Sequence, residues 1–227
     1  MSDLMIEGSG AMSKVEQIEG FHAAAFTRVD DAPDAAFYAD RLPDTLMDLG
    51  ARTAVTALYQ TALPVGGRVL DLMAGSLSHY PEEAKFSEAT GLGVTKTTLE
   101  ANPVLTKRKV QDLNENPILP FEDQSLDAVT LCDGVAYLTQ PLAVFDELHR
   151  VLKPGAPLIV TFGDSFYPQK AVALWQALEA EDRSRLISIL LSRAGFVDLD
   201  TGEVVPPEDL NGWHDTVRAL IGRRSRD

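Results

Sequence analysis

Cysteine is almost absent: Cys132 is the one thiol in 227 residues. A lone thiol closes no intrachain disulfide and builds no thiolate metal cluster, and a reducing cytoplasm is the expected compartment. The four histidines show no H-x-x-x-H spacing, so no metal centre is expected. Cations are scarce as well. Lys and Arg number 20 against 34 Asp and Glu, a formal net charge of −14. Such a surface repels phosphate backbones, which excludes a nucleic-acid partner. The short basic clusters, Lys107-Arg108-Lys109 and Arg218 to Arg226, read as solvated surface. No apolar run approaches the ~20 residues needed to cross a bilayer, so no membrane span is expected. The first residues lack a basic n-region and an apolar h-region. Residues 1–18 carry no fold signal and are expected to be disordered, leaving 19–227 as one domain.

What is present suits a packed α/β core, with 45% hydrophobic and 24% charged residues. Residues 19–63 carry helix signals and are expected to form a cap. There Asp44 can cap a segment in which Leu46, Met47, Ala51, Ala54, Leu58 and Ala62 recur at helical spacing. Pro64, Gly66 and Gly67 then stop it. Over 64–227 strands and helices alternate, which argues for a parallel sheet wrapped by helices. Strands are expected at 68–73, 88–94, 107–112, 126–132 and 157–163, with helices at 81–86, 96–101, 141–152 and within 168–194. Two further strand candidates, 197–205 and 215–222, flank a Pro-Pro loop. Five parallel strands and a terminal pair give a seven-stranded sheet.

Three stretches hold chemistry. Val69-Leu70-Asp71-Leu72 is an apolar run with one acid, followed by Met73-Ala74-Gly75-Ser76-Leu77. The second is VQDLNENPILPFEDQSLDAVTL, residues 110–131. The third is AVFDELHRVLKPGAPLIVTF, residues 143–162, with a Pro154-Gly155 stop. Their motifs, order and spacing over residues 65–222 resemble those of class I S-adenosylmethionine-dependent methyltransferases of the small-molecule kind. The resemblance implies a Rossmann-like seven-stranded sheet, mostly parallel with an antiparallel terminal strand. It also implies S-adenosylmethionine as cofactor and methyl transfer to a small-molecule acceptor. By resemblance Asp71 supports the first loop and the methionine end, with Met73 beside it, and Gly75 lets the backbone approach the ligand. The adenine contact falls on Asp112, with the Leu113 backbone alongside; a turn cap before Asn114 is the other reading of Asp112. Asp133, directly after the fourth strand, is placed at the sulfonium side or the acceptor.

Two features depart from the family. Its turn usually reads Gly-x-Gly-x-Gly, and here those positions hold Met73, Gly75 and Leu77. A Leu at the third position keeps a helix from packing closely over the strand. Pro81 suits the first turn of a helix, so the helix is expected to start near 81 and AGSLSHY to form a longer loop. The second strand normally ends in an acid for the ribose hydroxyls, and Gly93 stands in that place. Thr95 reads as the cap of the next helix.

Methyl transfer needs alignment and sometimes a base. His79, in the rebuilt loop, is the candidate base or equally a loop brace; Tyr137, in DGVAYL, faces the reacting groups or packs under the cap. Asp164, Phe166, Tyr167 and Lys170 are candidate acceptor contacts. Phe37, Tyr38, Asp40, Asp44 and Asp48 suggest a lid over a small, cationic acceptor, or a solvated helical face. The alternative function is a methyltransferase-fold protein that binds a nucleoside or metabolite without methylating, or catalyses another reaction. A nicotinamide dehydrogenase is disfavoured, because G-x-G-x-x-G is missing after the first strand.

Overall fold

In the computed structural model, residues 22–39, 46–208 and 212–226 are described. The expected disorder of 1–18 and the capping role of Asp44 therefore lie outside the described residues. Seven strands form one sheet: β1 (Arg68–Leu72), β2 (Glu88–Gly93), β3 (Lys107–Val110), β4 (Ala128–Cys132), β5 (Pro157–Phe162), β6 (Phe196–Val204) and β7 (Val217–Arg224). Their order across the sheet is β3-β2-β1-β4-β5-β7-β6. The first five strands pair in parallel, and β7 runs antiparallel to both β5 and β6. This is the Rossmann-like arrangement of the sequence reading, with strand ends within about three residues of those expected.

Both faces of the sheet are covered, which is why β1, β4 and β5 read as apolar runs instead of alternating patterns. On one face Leu70, Leu72, Val129, Leu131, Leu158 and Val160 join the main core. That core includes α4 (Pro141–Val151) and α6 (Ala180–Arg193). On the other face Val69, Ala89, Ala128 and Ile159 meet Ala51, Val55 and Tyr59 of α2 (Leu49–Ala62). A polar seam runs beneath α2. The Tyr80 hydroxyl lies 3.0 Å from that of Thr130, and the Tyr59 hydroxyl 3.3 Å from that of Thr161.

α2 starts at Leu49 with Asp48 as its N-cap, whose carboxylate accepts the Ala51 N–H at 2.9 Å. That carboxylate also accepts the N–H groups of His214 and Asp215, while the Asp48 N–H donates to Asp215 at 2.8 Å. The helix start is thus tied to the segment entering β7.

The helix expected at 81–86 is absent. Met73 to Ser87 connects β1 to β2 as a loop with a turn at Glu82-Glu83. Tyr80 is buried beneath α2, with its ring 5.8 Å from Tyr59 and 5.1 Å from Phe86. The Tyr80 side chain also bonds to Thr130, and these tertiary contacts, not local propensity, set the course of the chain through Pro81. The other expected helices are present: α3 (Lys96–Ala101), α4, and the pair α5 (Ala173–Ala177) and α6.

Candidate active site

The order of the strands reverses between β1 and β4, and open α/β sheets bind ligands beyond the carboxyl ends of the strands at such a point. A cleft of about 200 Å³ lies there. Asp71 and the loop from Met73 to His79 form one side, and Cys132, Asp133 and Gly134 the other. Val94 and Thr98 close it towards β2. Tyr38, from α1 (Asp34–Tyr38), with Met47, Tyr137 and Tyr167, builds an aromatic and thioether wall.

The loop is held from below. Met73 turns with φ 57°, and the Ala74 N–H donates to the Leu92 carbonyl at 2.8 Å. The buried Asn102 amide donates to the Gly75 carbonyl at 3.1 Å and to the Ser78 hydroxyl at 2.9 Å. Ser78 in turn donates to Asp71 at 2.5 Å, and the Thr130 hydroxyl reaches the other carboxylate oxygen at 3.4 Å. Asp71 therefore anchors the loop through hydroxyls, not backbone amides. Burial outweighs these bonds and raises its pKa to about 6. A Cβ on Gly75 would meet no atom within 4 Å, so this glycine opens directly onto space.

Gly93, Asp112 and Leu113 stand beside the cleft and not in its lining. A Cβ on Gly93 would overlap the Ala74 carbonyl oxygen. The Asp112 carboxylate caps a turn by accepting the Asn114 N–H at 2.9 Å, and takes the Asp34 N–H at 3.4 Å. Leu113 is buried in the main core. Thr95 is the N-cap residue of α3, but its hydroxyl pairs with that of Thr98 and caps no backbone group.

Asp133 follows β4 with φ 53°, a left-handed conformation uncommon outside glycine. One carboxylate oxygen accepts the Gly163 N–H at 2.9 Å. Burial, reinforced by the charge of Asp215, raises its pKa to about 7. Tyr137 is buried, its hydroxyl oxygen accepts the Tyr167 N–H at 3.0 Å, and burial drives its pKa well up. His79 lines the cleft, and burial with the nearby Arg52 charge lowers its pKa to about 4, leaving it neutral at physiological pH.

The remaining candidates separate. Asp164 pairs with Arg218 at 2.7 Å, and Phe166 lies under the Arg183 guanidinium at 5.0 Å. Lys170 is fully buried, bonded to the Ala32 carbonyl at 2.6 Å and to Asp30 and Asp34 at 3.2 and 3.3 Å. Arg28 completes the cluster, 2.8 Å from Asp34. Together they strap the segment 28–38 over the cleft. Asn114 adds a bond to Asp34 at 3.0 Å.

Sequence reasoning missed Ser78, Asn102 and Asp34. Asn102, an Asn before Pro103 at the end of α3, carried a weak signal as a turn residue. Asp34 carried none, since its partner Lys170 is 136 positions away.

A family model described as a methyltransferase domain matches residues 70–160. A demethylmenaquinone methyltransferase of Roseiflexus castenholzii is 27% identical over 198 residues, which is 78% of this chain and 79% of that relative. A solved S-adenosylmethionine-dependent methyltransferase of Thermotoga maritima, described as a possible histamine N-methyltransferase, has a TM-score of 0.58 at 18% identity. That match covers 77% of this chain and 89% of the other. The [4+2]-cyclase SpnF also has a TM-score of 0.58, at 17% identity, over 77% of this chain and 82% of its own. At such identities both structures speak to the fold alone.

Proposed function

We propose that this chain, a member of the class I S-adenosylmethionine-dependent methyltransferases, methylates a small planar acceptor of the quinol kind. The observation that carries the reading is the cleft itself, with a carboxylate of raised pKa on either side and an aromatic wall. Burying a carboxylate without a cation is costly, so Asp71 favours a positively charged ligand beside it. A sulfonium bearing an ammonium group meets that demand, and the space beside Gly75 accommodates its approach. The residues of the cleft fit the cofactor at its methionine end. The similarity to a demethylmenaquinone methyltransferase supports a flat ring acceptor.

When bound, S-adenosylmethionine supplies an electrophilic methyl group and keeps the bond electrons on sulfur. The chain's own groups do the rest. Asp71, fixed by Ser78 and through it by Asn102, holds the loop at the cation. Tyr38, Tyr137 and Tyr167 offer ring faces that orient a planar molecule and exclude water. Asp112 has taken two N–H donors, and a carboxylate has about four acceptor sites, so capacity for an adenine amine remains.

Calorimetric titration with S-adenosylmethionine and S-adenosylhomocysteine tests the reading. Binding by the wild type, its loss in Gly75→Val with an unchanged melting temperature, and weakening by ~1–3 kcal/mol in Asp112→Ala are expected. The second reading, a fold that binds a metabolite without methylating, is favoured by one feature, the Ala74 carbonyl standing where a ribose acid would begin. Absence of heat with either ligand near millimolar concentration would favour it.

A further inference from the structure

We propose that Asp133 accepts the acceptor's proton, and that the acceptor presents a ring hydroxyl to it. The inference rests on the methyl-transfer reading and adds to it the base and the reacting group. Three carboxylates and one imidazole from separate elements line the cleft, and three of these four are disqualified. Both oxygens of Asp71 take hydroxyl donors, from Ser78 and Thr130. Asp34 is held by Arg28, Lys170 and Asn114. Burial, with the nearby Arg52 charge, disfavours the protonated form that His79 would have to reach. Asp133 alone keeps one oxygen anchored, on the Gly163 N–H, and the second without a hydrogen bond. It stands at the carboxyl end of β4 with φ 53° and lines the cleft.

The surroundings keep that oxygen basic. Asp215 faces it from the segment before β7, Tyr137 from the turn after β4, and Cys132 from β4 itself. Asp71, on β1, acts on the same Cys132. All are acidic or neutral, and the carboxylate titrates near 7, where a base is useful at neutral pH. In the step the acceptor's O–H bond breaks and the proton moves to Asp133 Oδ2. The electron pair remains on the acceptor, which becomes the nucleophile, and the proton passes to water once the product has left. Tyr137 and Tyr167, centroids 6.4 Å apart and tilted by 35°, border the same space.

The test uses the full chain with 2-naphthol, a ring hydroxyl neutral over the range studied, and 2-methoxynaphthalene, which has no proton to give. Affinities are read by fluorescence from pH 5.5 to 8.5, with and without S-adenosylhomocysteine. Wild type should prefer 2-naphthol by about tenfold at pH 8, the preference shrinking as pH falls through 7. Asp133→Asn should lose that preference and its pH dependence, yet bind S-adenosylhomocysteine as tightly as wild type. Asp133→Ser is the second variant if the first fails to fold. No preference in wild type, or a preference that survives in the variant, overturns the proposal. A tenfold loss of S-adenosylhomocysteine affinity in the variant also overturns it, because the residue would then serve the cofactor. If wild type binds no S-adenosylhomocysteine, the methyl-transfer reading falls by itself, and the naphthol arm run without that ligand still reports on Asp133.

Discussion

Replacing Asp71 by Asn should stabilise the protein and weaken its cofactor binding. Asp71 is buried, its pKa is raised from 3.8 to about 6, and desolvation is the chief cause. A folded-state pKa above the unfolded value means that the native state holds its proton more tightly. The contribution of this group is then fully present below about pH 4 and is lost as pH rises through 6. A shift of about two units amounts to about 3 kcal/mol at pH 7. Asn retains an acceptor for Ser78 at 2.5 Å and places its amide near Thr130, so the loop keeps its anchor. The variant should be more stable than wild type by ~1–3 kcal/mol at pH 7 and equal to it at pH 4. Urea denaturation at half-unit pH steps, with m-values compared, measures the difference. Calorimetry on the same samples should give at least about a tenfold loss of S-adenosylmethionine affinity, since a carboxylate facing a cation has been neutralised. A variant whose stability runs parallel to wild type from pH 4 to 8 would refute the reasoning. So would one that gains stability and binds as before.

Three other perturbations test separate links. Gly93→Asp restores the acid found elsewhere in the family, but its Cβ meets the Ala74 carbonyl; the variant should lose ~1–3 kcal/mol in urea denaturation and gain no cofactor affinity. Lys170→Met removes the cation from a buried cluster that includes Asp30 and Asp34. A loss of ~3–5 kcal/mol is expected, with faster amide exchange over residues 28–38, and a loss below 1 kcal/mol would contradict the strap. His79→Ala should leave the pH dependence of cofactor binding between 5 and 8 unchanged, because the imidazole stays neutral throughout that range. A new titration step in calorimetry would argue against it.

The strand order was legible because burial on both faces leaves continuous apolar runs, and because Pro154-Gly155 marks the end of α4, with Gly155 at φ 78°. Asp71, Met73, Gly75, His79, Asp133 and Tyr137 do meet in one cleft, as the ends of parallel strands require. The helix expected at 81–86 failed for a tertiary reason: Tyr80 finds Tyr59, Phe86 and Thr130, contacts that local propensity does not see. The tie between the start of α2 and the segment entering β7 was hidden for a related reason, since Asp48 is fixed by backbone groups 166 and 167 residues away. The strap was invisible because its charges pair only after the chain has crossed the sheet.

The two departures from the family pattern are one structural change. Without the first and third small residues of the turn, Met73 takes a positive φ and Ala74 bonds to the end of β2. That path lays the Ala74 carbonyl against the α-carbon of Gly93, so a side chain there and this loop exclude each other. Asn102 and Ser78 then hold the loop in the alternative course, and Leu77 is left at the rim, 39% exposed, because no helix forms behind it. A missing ribose acid is therefore not by itself a sign of decay; it follows from the loop. The polar groups remaining on that side of the cleft are Ser76 and Thr98. Each is a neutral hydroxyl, so any diol recognition here rests on weaker bonds than a carboxylate would make. More of the binding energy must then come from Asp71 at the methionine end.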